Sequence, residues 1–352
     1  MKKIGILTLH YGDGYGACLQ AYALRRVINS FSGCSAEIIN YVPSGFKYPV
    51  YEKSDLAYEK MVVKRAKFER FLSTHCGIKD NIRNYVDGNE YDIVCAGSDQ
   101  IWNLSWDIHE YFLPHVTNRK KISYAASLGI NQSSVFWNDD IYSKYLSEFD
   151  AISLREAREQ KKIEDLSGKN CKVVLDPTLL LNAEDYKCIC NNENSKEGDF
   201  IFLFWIKHDN NYLQGIEFAN KLSRSLGIGV IHSFADYPKG IINNDMGTMI
   251  YEGIEDFLYY IKNACYVVTN SYHASLFSIQ FGTRFYTFNV DSMTDRIETL
   301  QELFDLSGNL ISSFEDWNEI KYENVVEKNT ETFLLTKKQS VKYLMKELEV
   351  SE

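Results

Sequence analysis

Residues 265–288 read CYVVTNSYHASLFSIQFGTRFYTF. An apolar, β-branched run at 266–269 meets a polar corner, Asn270-Ser271-Tyr272-His273, and an almost wholly apolar segment follows over 274–281. Gly282 interrupts that segment, and residues 285–288 return to strand-forming types. Strand, corner, buried helix, glycine stop and strand together spell a β-α-β unit. Open parallel sheets bind ligands beyond the carboxyl ends of their strands, which is where this corner falls. Asn270 or Ser271 is suited to cap the helix, which puts His273 in a first turn whose backbone N–H groups favour an anion. A histidine merely satisfied at a helix end fits the same residues.

The rest of the chain repeats the pattern. A first strand at 4–8 leads into the glycine-rich turn Gly12-Asp13-Gly14-Tyr15-Gly16 and a helix over 17–31. The spacing is GxGxG, not the GxGxxG of dinucleotide sites, so Gly14, Tyr15 and Gly16 are candidate ligand contacts beside an equally available plain tight turn. A strand at 36–40 precedes a helix over 54–73, whose Lys64, Arg65, Lys67, Glu69 and Arg70 read as a solvated face. The strand at 92–96 ends in Gly97-Ser98-Asp99-Gln100-Ile101-Trp102-Asn103. These small and polar residues either face a cleft or form an ordinary turn with Trp102 packed beneath it. Strands follow at 121–125 and 151–154, the second running straight into a helix from 155 to about 166. Arg155 then stands at a strand end and a helix start, an electropositive place.

The run NNENSKEGD within 182–199 is the best linker in the sequence. A second α/β series begins at 200–205, with helices near 211–226, 255–263 and 295–304 and a strand at 228–232. Lys207, at a strand end, and Arg296, near a helix start, are candidate further cations. The expected organisation is α/β and GT-B-like, with two Rossmann-like domains whose parallel sheets face an inter-domain cleft. Residues 1–185 form the first domain, 186–199 the linker and 200–330 the second domain. A terminal helix within 331–352 packs back on the first.

Composition narrows the function. The chain has 352 residues, a size for two domains, and a formal charge of -10 that argues against nucleic acid as partner. Eight cysteines are scattered with no CxxC pair, so neither a disulfide framework nor a zinc site is expected, and no metal is assigned. The amino terminus is too briefly apolar for a signal peptide, and no run approaches the ~20 apolar residues of a membrane span. A reducing cytoplasm is the expected compartment.

Taken together, YGDGYGACLQAYALRRV, YDIVCAGSDQIWN, SYAASLG, ISLREAREQ, VVLDPTLLL and IEDFLYYIKNACYVVTNSYHASLFSIQFGTRF resemble, in order and spacing, the polysaccharide pyruvyl transferase family. The resemblance implies transfer of a pyruvyl group from phosphoenolpyruvate to a saccharide, with no cofactor besides that donor substrate. The product would be a pyruvate ketal in a polysaccharide or glycan. It also implies that Arg155, in Ser153-Leu154-Arg155-Glu156, and His273 serve the donor. His273 matches the histidine of the family's Arg-x-His motif, and Ser271 stands where that arginine would be. Asp99 is the candidate base for the acceptor hydroxyl. Asn270, Ser271, Tyr272, Ser98 and Gln100 are candidate substrate contacts beside it. A lipid-linked acceptor would bring the protein to the inner membrane face. Two other functions remain open: a glycosyltransferase using a nucleotide sugar, and a non-catalytic glycan- or nucleotide-binding module.

Overall fold

A computed structural model describes residues 1–47, 58–78, 81–129, 139–190, 199–206, 212–235, 248–288, 294–311 and 325–351. The chain divides into two compact units. Unit one gathers Met1–Pro49, Leu72–Leu181 and Leu334–Glu352, and unit two gathers Val50–Phe71 and Asn182–Phe333.

In unit one, β1 (Lys2–Leu7), β2 (Cys34–Ile38), β3 (Ile93–Ala96) and β4 (Lys120–Ser123) form a parallel sheet in the order β2-β1-β3-β4. A parallel pair, β5 (Ile152–Leu154) and β6 (Cys171–Val173), continues from it through the isolated bridges Ile122↔Ala151 and Ala126↔Leu154. Helix α1 (Tyr15–Ser30) carries the chain from β1 to β2. The long helix α2 (Tyr58–Thr74) begins in unit two and ends in unit one. Helices α3 (Asp139–Ser147) and α4 (Gln160–Ser167) precede β5 and β6. The helix α5 (Ala183–Lys187) opens the longer segment of unit two. Trp102 is fully buried, stacked on Phe112 with ring centroids 5.6 Å apart, and its indole N–H donates to Tyr111 O at 3.3 Å. Trp102 is thus packed beneath the turn.

Unit two is built on β7 (Phe200–Trp205), β8 (Gly229–Phe234), β9 (Thr248–Met249), β10 (Tyr266–Thr269), β11 (Arg284–Phe288) and β12 (Leu310–Ile311). All pairs are parallel, in the order β12-β11-β10-β7-β8-β9. Counted within the unit this is the doubly wound order, which reverses between β7 and β10. Helices α6 (Tyr212–Leu226), α7 (Ile254–Asn263), α8 (Tyr272–Phe281) and α9 (Thr294–Leu303) make the crossovers. The β-α-β unit of residues 265–288 is β10-α8-β11. Ser271 caps α8, its hydroxyl accepting from Ala274 N at 3.3 Å, and Gly282 ends it in the left-handed region at φ 71°.

The last helix, α10 (Glu331–Glu347), joins unit one from Leu334 onward. Ser340 Oγ accepts from Leu175 N at 3.0 Å, Tyr343 O–H donates to Ser123 O at 3.1 Å, and Lys2 Nζ donates to Leu348 O at 3.0 Å.

Two features of the sequence reading change. The basic run of α2 is no solvated face throughout: Lys64 is 1% exposed and donates to Phe234 O at 2.7 Å and Ala235 O at 3.3 Å, beyond the end of β8. Lys67 pairs with Asp256 at 2.6 Å and Arg70 approaches Glu255 at 4.0 Å, so α2 meets the acidic first turn of α7. These contacts are why residues 58–71 belong with unit two. The second change concerns Arg155. Its N–H donates to Ala126 O at 3.0 Å, extending the strand bonding by one residue, and α4 starts only at Gln160. Arg155 therefore does not sit at a helix start.

One buried group makes unit two sensitive to acid. His232 of β8 stands in register with Leu203, in the row of side chains feeding the apolar cluster of Leu203, Trp205, Val230 and Phe234. It is 1% exposed, and neither ring nitrogen has a hydrogen-bond partner among the described residues. Burial alone lowers its pKa from 6.5 to about 4. The folded-state value is depressed, so well above pH 6.5 the ring is neutral in both states and its titration costs the fold nothing. Between pH 6.5 and 4 only the unfolded chain takes up the proton, and roughly 3 kcal/mol of stability is lost across that window. Urea midpoints followed through tryptophan fluorescence should fall less steeply with pH in His232→Leu than in the parent. Equal pH slopes in the two proteins would remove this account.

Candidate active site

Unit two places Asn270, Ser271, Tyr272 and His273 at the point where its strand order reverses, beyond β10 and beside the end of β7. A parallel sheet opens a crevice there, because the crossovers on either side leave in opposite directions. The corner is bonded throughout. Thr269 Oγ1 donates to Phe204 O at 2.7 Å and accepts from Ser271 N at 2.9 Å. Asn270 Oδ1 accepts from Ile206 N at 2.9 Å, tying the end of β10 to the end of β7. Ser275 Oγ donates to Ser271 O at 3.0 Å. The Tyr272 and His273 rings meet edge to face, 5.0 Å between centroids, and His273 is 9% exposed. Ser271, the helix cap, is committed to the backbone, so the corner offers N–H dipoles and an imidazole where an Arg-x-His version would offer a guanidinium. Lys207 lies outside the described residues. Arg296 falls within α9, but its side chain is likewise outside them.

Unit one assembles a second polar cluster at the carboxyl ends of β3 and β5. Arg155 is 1% exposed and is not an open cation. Its Nη1 lies 3.0 Å from Asp176 Oδ2 and 3.6 Å from Asp99 Oδ1, and its Nε lies 2.8 Å from Glu156 Oε1. Asp176 is held in turn by the Thr178 N–H at 3.0 Å and hydroxyl at 2.6 Å. One guanidinium therefore lies within ion-pair distance of three carboxylates. Asp99, in the left-handed region at φ 71°, lies two residues after Gly97, where an added Cβ would collide with Tyr124 O. Ser98 is fully buried and its hydroxyl donates to Ala125 O at 2.9 Å. Gln100 Oε1 accepts from Asn103 Nδ2 at 3.0 Å. The Tyr111 hydroxyl donates to Tyr11 Oη at 3.2 Å, and burial is the main cause that raises both tyrosine pKa values, with the Asp99 charge adding to it. Gly14 is the N-cap of α1 with no side-chain bond, while Tyr15 and Gly16 begin the helix and Tyr15 is buried.

The structure thus brings Ser98, Asp99, Gln100 and Arg155 together in unit one, and Asn270 through His273 together in unit two. Sequence reasoning missed the partners of Arg155. Glu156 was visible as its neighbour, and Asp176 as the acid before Pro177, but no spacing rule linked either to it. It also missed Glu252, fully buried, which accepts from the Ser233 hydroxyl near the end of β8. Among the described residues, no group of three or more His, Cys, Asp and Glu could hold a metal ion, and no helix is long and apolar enough to cross a membrane.

The sequence profile named polysaccharide pyruvyl transferase matches residues 11–292, well over half of the chain. The chain belongs to the polysaccharide pyruvyl transferase family, and its class is transferase. That span takes in the Gly14–Gly16 turn, the Asp99–Arg155 cluster and the whole corner at His273. No curated protein matches the sequence. Among solved structures, S. aureus MnaA in a co-structure with UDP is similar with a TM-score of 0.58 at 11% identity, covering 100% of this chain and 98% of that one. The Methanocaldococcus jannaschii UDP-GlcNAc 2-epimerase in complex with UDP-GlcNAc and UDP is similar with a TM-score of 0.58 at 15% identity, covering 99% of each chain. A putative UDP-N-acetylglucosamine 2-epimerase from Listeria monocytogenes has a TM-score of 0.55 at 10% identity, covering 100% of this chain and 97% of that one. These likenesses establish a GT-B-type α/β fold for this pyruvyl transferase family member.

Proposed function

We propose that this protein transfers the pyruvyl group of phosphoenolpyruvate to two hydroxyls of a saccharide, forming a pyruvate ketal and inorganic phosphate in polysaccharide or glycan biosynthesis. Support comes from the family match, and above all from one observation: an imidazole and a capped helix start lie at the strand-order reversal of unit two. Protonation of the donor methylene gives an oxocarbenium-like carbon. The first sugar hydroxyl attacks it, the C–O bond to phosphate breaks, and the second hydroxyl closes the ketal. One hydroxyl proton ends on the new methyl group and the other leaves with phosphate, so the equation balances without an oxidant or reductant.

Each role has a physical basis. The first turn of α8 attracts an anionic donor group, and His273 is the general acid. Asp99 is the base for the acceptor hydroxyl. Arg155 orients that carboxylate instead of binding the donor as an open cation, since three acids already surround it.

The test is phosphate release from phosphoenolpyruvate with a panel of saccharides, lipid-linked and free, run beside UDP-sugars as donors. Phosphate release that depends on a saccharide, with a ketal methyl signal in the product, is expected. Sugar transfer from a UDP-sugar, with no phosphate released from phosphoenolpyruvate, would replace this reading with a glycosyltransferase.

A further inference from the structure

The strand order of unit one also reverses, between β1 and β3, and one buried side chain spans that reversal. Gln20, on the second turn of α1, is fully buried. The two N–H groups of its Nε2 are shared among Thr8 Oγ1 at 2.9 Å, Leu9 O at 2.9 Å and Ala17 O at 2.8 Å. Its Oε1 accepts from Ser98 N at 3.2 Å. Two of those acceptors are carbonyls, so the NH2 group must point towards β1 and the oxygen towards Ser98. Thr8 completes the link, its hydroxyl donating to Ser98 O at 2.8 Å. Both backbone polar groups of Ser98 are therefore held by side chains from the β1 side, and its hydroxyl by Ala125 O.

Ser98 is the residue before Asp99. With the Ser98 peptide held on both sides, and Asp99 O accepting from Ile101 N at 2.7 Å and Ser127 N at 2.9 Å, the direction of the Asp99 side chain is set. That direction brings its carboxylate 3.6 Å from Arg155 Nη1. Buried polar networks of this kind rigidify when every member is satisfied. The GxGxG turn that precedes Gln20 has the place of a phosphate-binding loop. Its helix, however, delivers a carboxamide into the reversal.

We propose that Gln20, acting with Thr8, is the positioning residue of unit one, setting the Asp99–Arg155 contact. The role in catalysis rests on the reading of Asp99 as the acceptor's base, while the structural effect does not. Gln20 touches no substrate in this account; it acts through Ser98. The alternative is a buried amide that satisfies its neighbours and has no effect at Asp99.

The test uses the full chain and three variants. Gln20→Met keeps the length of the side chain and removes its bonds. Thr8→Val keeps its shape and removes the hydroxyl, and Thr8→Ser keeps the hydroxyl. Crystal structures should show the Asp99 to Arg155 separation beyond ~4 Å, outside ion-pair range, in Gln20→Met and Thr8→Val but not in Thr8→Ser. Phosphate release should fall about 100-fold in kcat in the first two, with KM for phosphoenolpyruvate within about twofold, and recover in Thr8→Ser. An unmoved Asp99 carboxylate in the folded variants overturns the proposal, whatever the kinetics. If the parent itself releases no phosphate, the reaction reading falls and the crystal structures still decide the positioning. Should Gln20→Met fail to fold, Thr8→Val and its serine control carry the test.

Discussion

Arg155→Ala should destabilise unit one by about 3–5 kcal/mol, because it removes the guanidinium that three carboxylates share. Asp176 has no side-chain exposure, while Asp99 and Glu156 keep 10% and 12%. Water cannot replace the guanidinium at such burial, so the lost pairing is not recovered by solvation. Arg155→Lys should restore only part of the loss. An ammonium is a point charge and cannot face Glu156 through one edge and Asp99 and Asp176 through another, as Nε and Nη1 do. Hydrogen exchange in β3–β5 during urea unfolding is the suitable probe, since a chain of two units need not unfold in one step. A loss below about 1 kcal/mol for the alanine variant would mean that the cluster is hydrated and weakly coupled.

His273→Ala should lower phosphate release from phosphoenolpyruvate by about 10²–10⁴-fold, the usual contribution of a positioned general acid. The backbone bonds of the corner run through Thr269, Asn270 and Ser271, so the helix start should survive the change. His273→Gln separates two contributions. It keeps a polar side chain of similar reach but cannot deliver a proton at neutral pH, so it should be nearly as slow as alanine. Unchanged circular dichroism with turnover within about tenfold of the parent, in both variants, would remove His273 from the chemistry. Ser271 sharpens the expectation. Its hydroxyl caps α8, and in the proposed reaction the anionic donor would be held there by helix dipoles and the imidazole.

The local pieces of both sites were legible because they depend on neighbours in sequence. The residues at 266–288 announce strand, cap, helix, left-handed stop and strand through β-branching, a serine hydroxyl and a glycine that tolerates positive φ. Alternation of apolar strands with helical segments was enough for two parallel α/β units, and the corner at Asn270–His273 followed from that. What α2 and Arg155 do was not legible. The charges of α2 have the pattern of a wet surface, and only the packing of that helix against the end of β8 makes Lys64 a buried donor to two carbonyls. Arg155 follows a strand and precedes acids and helix formers, so periodicity starts a helix there. The bond to Ala126 O, from 29 residues earlier in the chain, keeps it extended. A long-range backbone bond leaves no mark in local propensity.

By itself, then, the sequence determined the fold class, the family motifs and the helix start that carries His273, since each is written in residues a few positions apart. Tertiary structure alone decided that the Arg155 charge is answered by Asp99, Glu156 and Asp176, and that Gln20 reaches Ser98 across the β1–β3 reversal. Those contacts join residues 21 to 78 positions apart, or adjacent ones whose geometry depends on them. Burial and pairing set the electrostatics of a site, and neither exists until the strands are side by side.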